Sequence, residues 1–275
     1  MSSQPRDRPL VVAALSGGVD SAVLLAIAAE ALGPENVLAV TGRSASVTEQ
    51  EVQDAERVAC ALGVRHEVVD TMEIDRPAYR ANEGDRCFHC RKELFEALGR
   101  IAQARGMEAI AYGAIVDDLG DDRPGMAAAR EMSILAPLLD AKISKSDVRI
   151  LANIFDLHVH DKPSNACLAS RIPIGIEVTP ERLNEVSRAE AALRTLGFRQ
   201  FRVRHHGEIA RIELANGEAE RLADSRIRAE AIRGVKQAGF RFVAVDLEDY
   251  GASRLEPAAA VAHLYSIGPQ RDNGQ

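Results

Sequence analysis

The stretch Ser16-Gly17-Gly18-Val19-Asp20-Ser21 carries the residue types best suited to chemistry in this chain. It follows the apolar run Pro9-Leu10-Val11-Val12-Ala13-Ala14-Leu15, which reads as a strand, and precedes a helical pattern over residues 19–31. Two glycines let the backbone turn tightly and bring N–H groups close to an anion. The helix behind them points its positive N-terminal end at the same place. Ser16 and Ser21 add hydroxyl donors, and Asp20 can hold Mg²⁺ or orient a phosphate-bound water. The stretch has neither the G-x-x-x-x-G-K-[ST] spacing nor the lysine of an ordinary P-loop, so it reads as a phosphate cradle of another kind.

A second group is built on sulfur. Cys87-Phe88-His89-Cys90 is a C-x-x-C element, and Cys167 lies far downstream in Asn165-Ala166-Cys167-Leu168-Ala169-Ser170-Arg171. A single C-x-x-C fits a redox pair, half of a zinc site or part of an iron–sulfur site. The chain has no second C-x-x-C for a four-cysteine zinc site, and His89 sits between the thiols, where it makes a poor co-ligand. Three cysteines around a [4Fe–4S] cluster would leave one iron open, which suits a cluster that carries sulfide. Incidental thiols at a helix start are the alternative. Cys60, in Val58-Ala59-Cys60-Ala61-Leu62, reads as a buried structural thiol on an apolar helix face.

Charged residues cluster in three further places. Asp117-Asp118-Leu119-Gly120-Asp121-Asp122-Arg123-Pro124-Gly125 is an acidic loop after a strand end, with a solvated turn as its plain reading. Lys145 and Arg149 lie near another strand end, where they could meet phosphate or serve only as solvated helix charges. Arg202 and Arg204 alternate along a strand and so share a face. A guanidinium pair is a natural receptor for phosphate or carboxylate, and an exposed charged strand is the bland alternative. His205 and His206 follow them, and His66 reads as structural.

The elements that must position these groups alternate in type through the first half. Strands are predicted at residues 36–41, 65–69, 109–113 and, as a short buried strand, 134–137; helices are predicted at 48–62 and 91–105. Ser144-Lys145-Ser146-Asp147 forms a capping box that opens a helix to residue 155. This alternation predicts a doubly wound α/β fold with a parallel sheet, with ligands at the carboxyl ends of its strands. From about residue 174 the order changes to α-β-β-α-β: a helix from Thr179-Pro180 to 196, strands at 200–205 and 209–214, a helix at 218–237 and a strand at 240–247. The predicted organisation is an α/β domain over 1–175, a small α+β domain over 176–255 and a flexible tail over 256–275.

Bulk properties narrow the function class. The 275 residues are 46% hydrophobic and carry a net charge of −7, which argues against a broad nucleic-acid surface. Seven Phe, four Tyr and no Trp leave few platforms for stacking bases. The longest apolar runs are too short for a membrane span. The polar opening Met1 to Arg8 argues against an export signal, so a cytoplasmic protein with reduced cysteines is expected.

The SGGVDS loop resembles the SGGxDS "PP-loop" of ATP pyrophosphatases, which hold the pyrophosphate of ATP and transfer AMP to a substrate oxygen. Together with DRCFHCRKELF, DDLGDDRPG, KSDVR, NACLASRIPIG and RVRHHGEIARIEL, it resembles the LarE family over roughly residues 9–250. Those are the ATP-dependent sulfur transferases of nickel-pincer nucleotide cofactor synthesis. The resemblance implies adenylation of a carboxylate of pyridinium-3,5-biscarboxylic acid mononucleotide by ATP and Mg²⁺, followed by replacement of AMP with sulfur. It implies ATP contacts from Ser16, Gly17, Gly18, Asp20, Ser21, Asp118, Asp122, Arg123 and Lys145, and substrate contacts from Ser170, Arg171, Arg202 and Arg204. Glu190 and Glu213, with Glu218 more weakly, match acidic positions of a family metal or substrate site.

The family has two sulfur sources. In one, a cysteine at the position of Cys167 gives up its own sulfur; in the other, three cysteines hold a [4Fe–4S] cluster. Cys87, Cys90 and Cys167 match the three-cysteine pattern and favour the cluster, with Cys167 as donor if the cluster is absent. A homo-oligomer such as a hexamer is also implied. The competing readings are a tRNA thiouridylase, which would usually carry a basic face, an amide-forming synthetase, which needs no spaced cysteines, and a non-catalytic nucleotide-binding regulator, which would release no pyrophosphate.

Overall fold

Strand-sized apolar runs separated by helices leave the first unit one economical solution, a sheet covered on both faces. The computed structural model describes residues 11–119, 124–162, 166–248 and 250. Two compact units emerge: one contains the chain up to Tyr79 and Asp85–Cys167, the other Arg80–Gly84 and the chain from Leu168 onward. The first is built on β1 (Val11–Ala14), β2 (Val37–Arg43), β3 (Arg65–Asp70) and β4 (Ala109–Ala111). They form a parallel sheet in the order β3-β2-β1-β4, with Val11 opposite both Val37 and Ala109.

The period of two along the strands sorts the core into two layers. Ala13, Val37 and Ala39 face a cluster with α1 (Val19–Leu32), α2 (Glu49–Ala61) and α7 (Lys145–Ile154). Val12, Ala14, Leu38 and Val40 face Phe95, Leu98 and Ala102 of α4 (Arg86–Arg105) and Ala128 and Ala129 of α5 (Pro124–Glu131). The sheet is therefore wound on both sides. The short helices α3 (Pro77–Ala81) and α6 (Pro137–Asp140) complete the α-helices before residue 168 among the described residues.

Local chemistry fixes the helix starts. Thr48 and Glu51 form a reciprocal capping box on α2, and Ser144 and Asp147 form the expected one on α7. Two elements differ from expectation. Residues 134–137 make a single parallel bridge, Leu135 to Ala111, before Pro137 opens α6; Leu135 is exposed rather than buried. Helix α4 begins at Arg86 instead of 91, so the C-x-x-C lies inside the helix at its N-terminal end.

The second unit contains α8 (Pro180–Thr195), β5 (Phe201–His206), β6 (Ile209–Leu214), α9 (Ser225–Ala238) and β7 (Phe242–Val245), the expected α-β-β-α-β order. β5 and β6 are an antiparallel hairpin turning at Gly207, and β7 lies parallel to β6. The helix expected over 218–237 is split: a 3-10 turn spans Ala219–Ala223, and Asp224 then caps α9 by accepting from the amides of Arg226 and Ile227. Asn82 explains why 80–84 belong here, because its amide donates to the carbonyls of Pro173 and Ile176 at 2.7 and 3.0 Å. Among the described residues no helix is long and apolar enough to cross a membrane.

Candidate functional site

The glycine loop sits at the carboxyl end of β1, between its two parallel neighbours β2 and β4, where open α/β sheets bind ligands. Gly17 has φ of +72°, and a Cβ there would lie 2.4 Å from the carbonyl oxygen of Glu51, so only glycine fits. Gly18 is the N-cap of α1 and supplies no side chain to its amides, which leaves the helix start to an external anion. Ser21 staples the loop: its Oγ donates to the Gly18 carbonyl at 3.0 Å and accepts from the Ser16 amide at 3.1 Å. Ser16 is exposed.

Asp20 meets a cation 125 residues further along the chain. Lys145 Nζ lies 2.8 Å from both carboxylate oxygens of Asp20, and the Lys145 amide donates to Asp117 at 2.8 Å. Two of the expected nucleotide residues are thus brought together at the loop. Asp118 is turned to local work, accepting the Ile115 amide at 3.0 Å. Asp122 and Arg123 lie outside the described residues. Arg149 donates to the carbonyl of His160 and so ties down a turn. Gly113, just past β4, is pressed on the same site, since a Cβ there would sit 2.8 Å from the Ser21 amide nitrogen.

Lys162 is the loop residue that sequence reasoning missed. Its Nζ donates to the Gly17 carbonyl at 2.8 Å and to Asp54 at 2.5 Å, joining the loop to α2. Nothing in its neighbourhood gives a periodic signal, and the contact closes over 145 residues. Burial opposes ionisation of Asp54, but hydrogen bonds from Lys162, Gln50 and Arg57 outweigh it and hold the carboxyl below its usual value of 3.8. Such a depressed group stabilises the fold fully above that value and ceases to do so as pH falls through its folded pKa. Lys162→Met is expected to cost about 1–3 kcal/mol, to move the acid-unfolding midpoint to higher pH by circular dichroism, and to raise KM for ATP. An unchanged midpoint and KM would show that the strap is idle.

The sulfur residues lie in the same unit. Cys87 is exposed and Cys90 half-buried, one helical turn apart on α4. The charges of both Cys87 and Cys167 bear on Cys90. Burial, then neighbouring Glu73, pushes the Cys90 thiol up, so it stays protonated until a metal or cation draws the proton off. His89 is held by Asp85 at 2.9 Å. Three thiols with a C-x-x-C on one turn fit an iron–sulfur cluster in donor chemistry. Among the described residues, no group of three or more His, Cys, Asp or Glu side chains is gathered as a metal cage. Cys60 is exposed, not buried, because α2 buries the face carrying Val52, Ala55 and Ala59 and residue 60 falls beside it.

In the second unit the expected arginine pair is divided in role. Arg204 is buried and bonded to Glu213 at 2.7 and 2.9 Å and to the Ser170 carbonyl at 2.8 Å. Arg171 is bonded to Glu190 at 2.9 Å and to Ser170 Oγ at 3.0 Å. Arg202 is the half-buried member, with its guanidinium 4.6 Å from the Tyr250 ring centre and its Nε lacking a hydrogen-bond partner. Burial, together with the charges of Arg204 and Arg171, makes its charge costlier and a bound anion correspondingly welcome. Glu190 and Glu213, expected at a metal or substrate site, are each engaged by two arginines instead: Arg171 and Arg194, and Arg204 and Arg211. Glu218 accepts the Arg199 amide.

A model of the NAD synthase family matches residues 5–111, the segment that carries the glycine loop and β1 to β4. The chain is 34% identical over 262 residues to pyridinium-3,5-bisthiocarboxylic acid mononucleotide synthase of Lactiplantibacillus plantarum, covering 94% of this chain and 93% of that protein. The chain belongs to the LarE family. An uncharacterized Synechocystis protein is 40% identical to it over 249 residues, 90% of this chain and 92% of the relative. The tRNA-specific 2-thiouridylase of Anaplasma marginale is 28% identical over 201 residues, 60% of this chain and 51% of that enzyme. Likeness to the LarE relative thus spans both units, whereas the family model stops within the first. The parallel sheet with helices on both faces and the loop at its switch point are the PP-loop frame that membership requires.

Proposed function

We propose that this LarE-family chain is an ATP-dependent sulfur transferase that converts pyridinium-3,5-biscarboxylic acid mononucleotide into its thiocarboxylates. The observation that carries the reading is the near-full-length likeness to the plantarum synthase, with SGGVDS held at the sheet's switch point. A carboxylate oxygen is a poor leaving group, and joining it to AMP makes its departure feasible at neutral pH. The Gly17-Gly18 amides and the start of α1 receive the pyrophosphate of ATP, and Lys145 offsets charge as it departs. Asp20 would hold the magnesium ion that accompanies ATP. Arg202 receives an anionic group of the mononucleotide, while the buried pairs of Arg171 and Arg204 hold its strand and Ser170 in place.

For the sulfur source, Cys87, Cys90 and Cys167 would hold a [4Fe–4S] cluster, which would supply an open iron able to carry sulfide. The expected assembly is a cytoplasmic homo-oligomer. Anaerobic reconstitution followed by iron analysis, and mass spectrometry of protein and product after reaction with ATP, the mononucleotide and sulfide, test this reading. About four irons per chain, an intact Cys167 and repeated thiocarboxylate formation are expected. An iron-free protein whose Cys167 loses one sulfur and two hydrogens in a single event would replace the cluster with self-sacrifice, and no thiocarboxylate at all would overturn the transferase reading.

A further inference from the structure

The second unit has a cleft that involves neither the glycine loop nor the sulfur residues. It encloses about 760 Å³ where α8 and β6 end, lined by Arg194, Arg199, Arg221, Asn216, Gly217 and Glu218. That volume is the size of a small-molecule site. Two of its guanidiniums are already fixed in place. Arg221 donates to the Leu196 carbonyl at 2.7 Å and lies 5.2 Å from the Phe198 ring centre. A Cβ at Gly197 would sit 2.9 Å from Arg221 Nη2, so the glycine makes room for it. Arg194 donates to Glu190 at 2.9 Å and lies 5.5 Å from the Phe201 ring centre. Each guanidinium has five N–H groups and so keeps donors to spare. Arg199 is exposed, and its side chain is bonded to nothing among the described residues.

Capping of α8 does not account for three cations. The end of a helix carries about half a negative charge, which Arg221 alone offsets. Glu218 is the one carboxylate in the lining; it accepts the Arg199 amide at 2.9 Å and approaches Arg221 Nε only to 3.8 Å. Glu190 is shared with Arg171. The cleft therefore keeps a positive surplus in a chain whose net charge is −7. Its three forks come from α8, the link to β5 and the 3-10 turn over Ala219–Ala223. One planar carboxylate engages a single fork, whereas the oxygens of linked phosphates can engage several.

We propose that this cleft binds a diphosphate group, either free pyrophosphate or the phosphate chain of a nucleotide. The site is separate from the glycine loop and does not rest on the sulfur-transfer reading above. Arg194 and Arg221 supply the fixed donors, and Arg199 closes on the anion from the open side.

Hydrogen–deuterium exchange of the full-length protein tests it, with inorganic pyrophosphate, ADP and sodium sulfate as probes at low ionic strength. Pyrophosphate and ADP are expected to slow exchange in residues 196–200 and 215–221, and sulfate at equal ionic strength is not. Equal midpoints for the two would place recognition in the diphosphate alone, and a lower midpoint for ADP would make a nucleotide the ligand. Arg199→Ala is expected to raise both midpoints about tenfold. Arg199→Lys, which keeps the charge and loses the fork, is expected to fall between. Because Arg199 has no side-chain partner to lose, Arg199→Ala should unfold at the wild-type Tm. Protection of residues 16–21 reports the glycine loop separately and should be the same in both variants. No protection of 196–200 and 215–221, equal protection by sulfate, or midpoints unmoved in Arg199→Ala would each overturn the proposal.

Discussion

Replacing Asp20 with asparagine is expected to slow pyrophosphate release by about 10²–10³-fold, the loss typical of removing one preorganised charge from a site of developing charge. The prediction follows from geometry. Asp20 is in the first turn of α1, its carboxylate is gripped at both oxygens by Lys145, and Lys145 opens α7, whose start is tied to the loop after β4 through Asp117. The acid and the lysine therefore act as a unit. Lys145→Met should show a comparable loss, and the double variant little more than either alone, because residues that act together are not additive. A coupled assay of pyrophosphate release in the presence of the mononucleotide measures all three. Asp20→Asn at the wild-type rate would remove the residue from the reaction, and full additivity would separate it from Lys145.

Glu190→Ala is expected to have the largest effect on stability. Glu190 is fully buried on α8, where it accepts from Arg171, from Arg194 and from the Val203 amide of β5. Removing it takes the Glu190 carboxylate away from the Arg171 guanidinium, 1% exposed, and leaves a strand amide without its acceptor. Breaking such a pair costs about 3–5 kcal/mol, which for a unit of this size lowers Tm by more than about 10 °C. Arg194→Ala, at the exposed end of the same network, is expected to cost about 1 kcal/mol or less. Thermal unfolding followed by circular dichroism measures both. A Glu190→Ala protein within a few degrees of wild type would show that the charge of Arg171 finds another partner.

The parts of the site legible in the sequence are those written in consecutive residues. SGGVDS announces itself because a strand, a turn that only glycine can make and a helix start all have local signatures. The capping box at Ser144 and the N-cap at Thr179 are legible for the same reason, and each is formed as read. Elements whose identity depends on neighbours were less legible. Residues 134–137 have a strand's composition, yet only Leu135 bridges to the sheet before Pro137 starts a helical turn. Cys60 has apolar neighbours, but facing is decided by 100° steps and not by adjacency.

Long-range partners were not legible at all. Lys162 reaches Gly17, and Glu73 reaches Ser46, through the fold alone. The alternation of Arg202 and Arg204 places them on a shared face, yet it could not tell that a carboxylate across the hairpin would neutralise Arg204 while the Arg202 Nε is left without a hydrogen-bond partner. Glu190 and Glu213 carried the same ambiguity, since a buried carboxylate serves a metal or an arginine equally well until its neighbours are known.

The coupling of ATP cleavage to sulfur transfer is tested most directly by counting products. With ATP, magnesium, the biscarboxylate mononucleotide and sulfide supplied anaerobically, one AMP and one pyrophosphate should appear for each thiocarboxylate formed, and none of the three when the mononucleotide is left out. Thiocarboxylate formed without AMP, or AMP and pyrophosphate released equally well without the mononucleotide, would contradict the assignment.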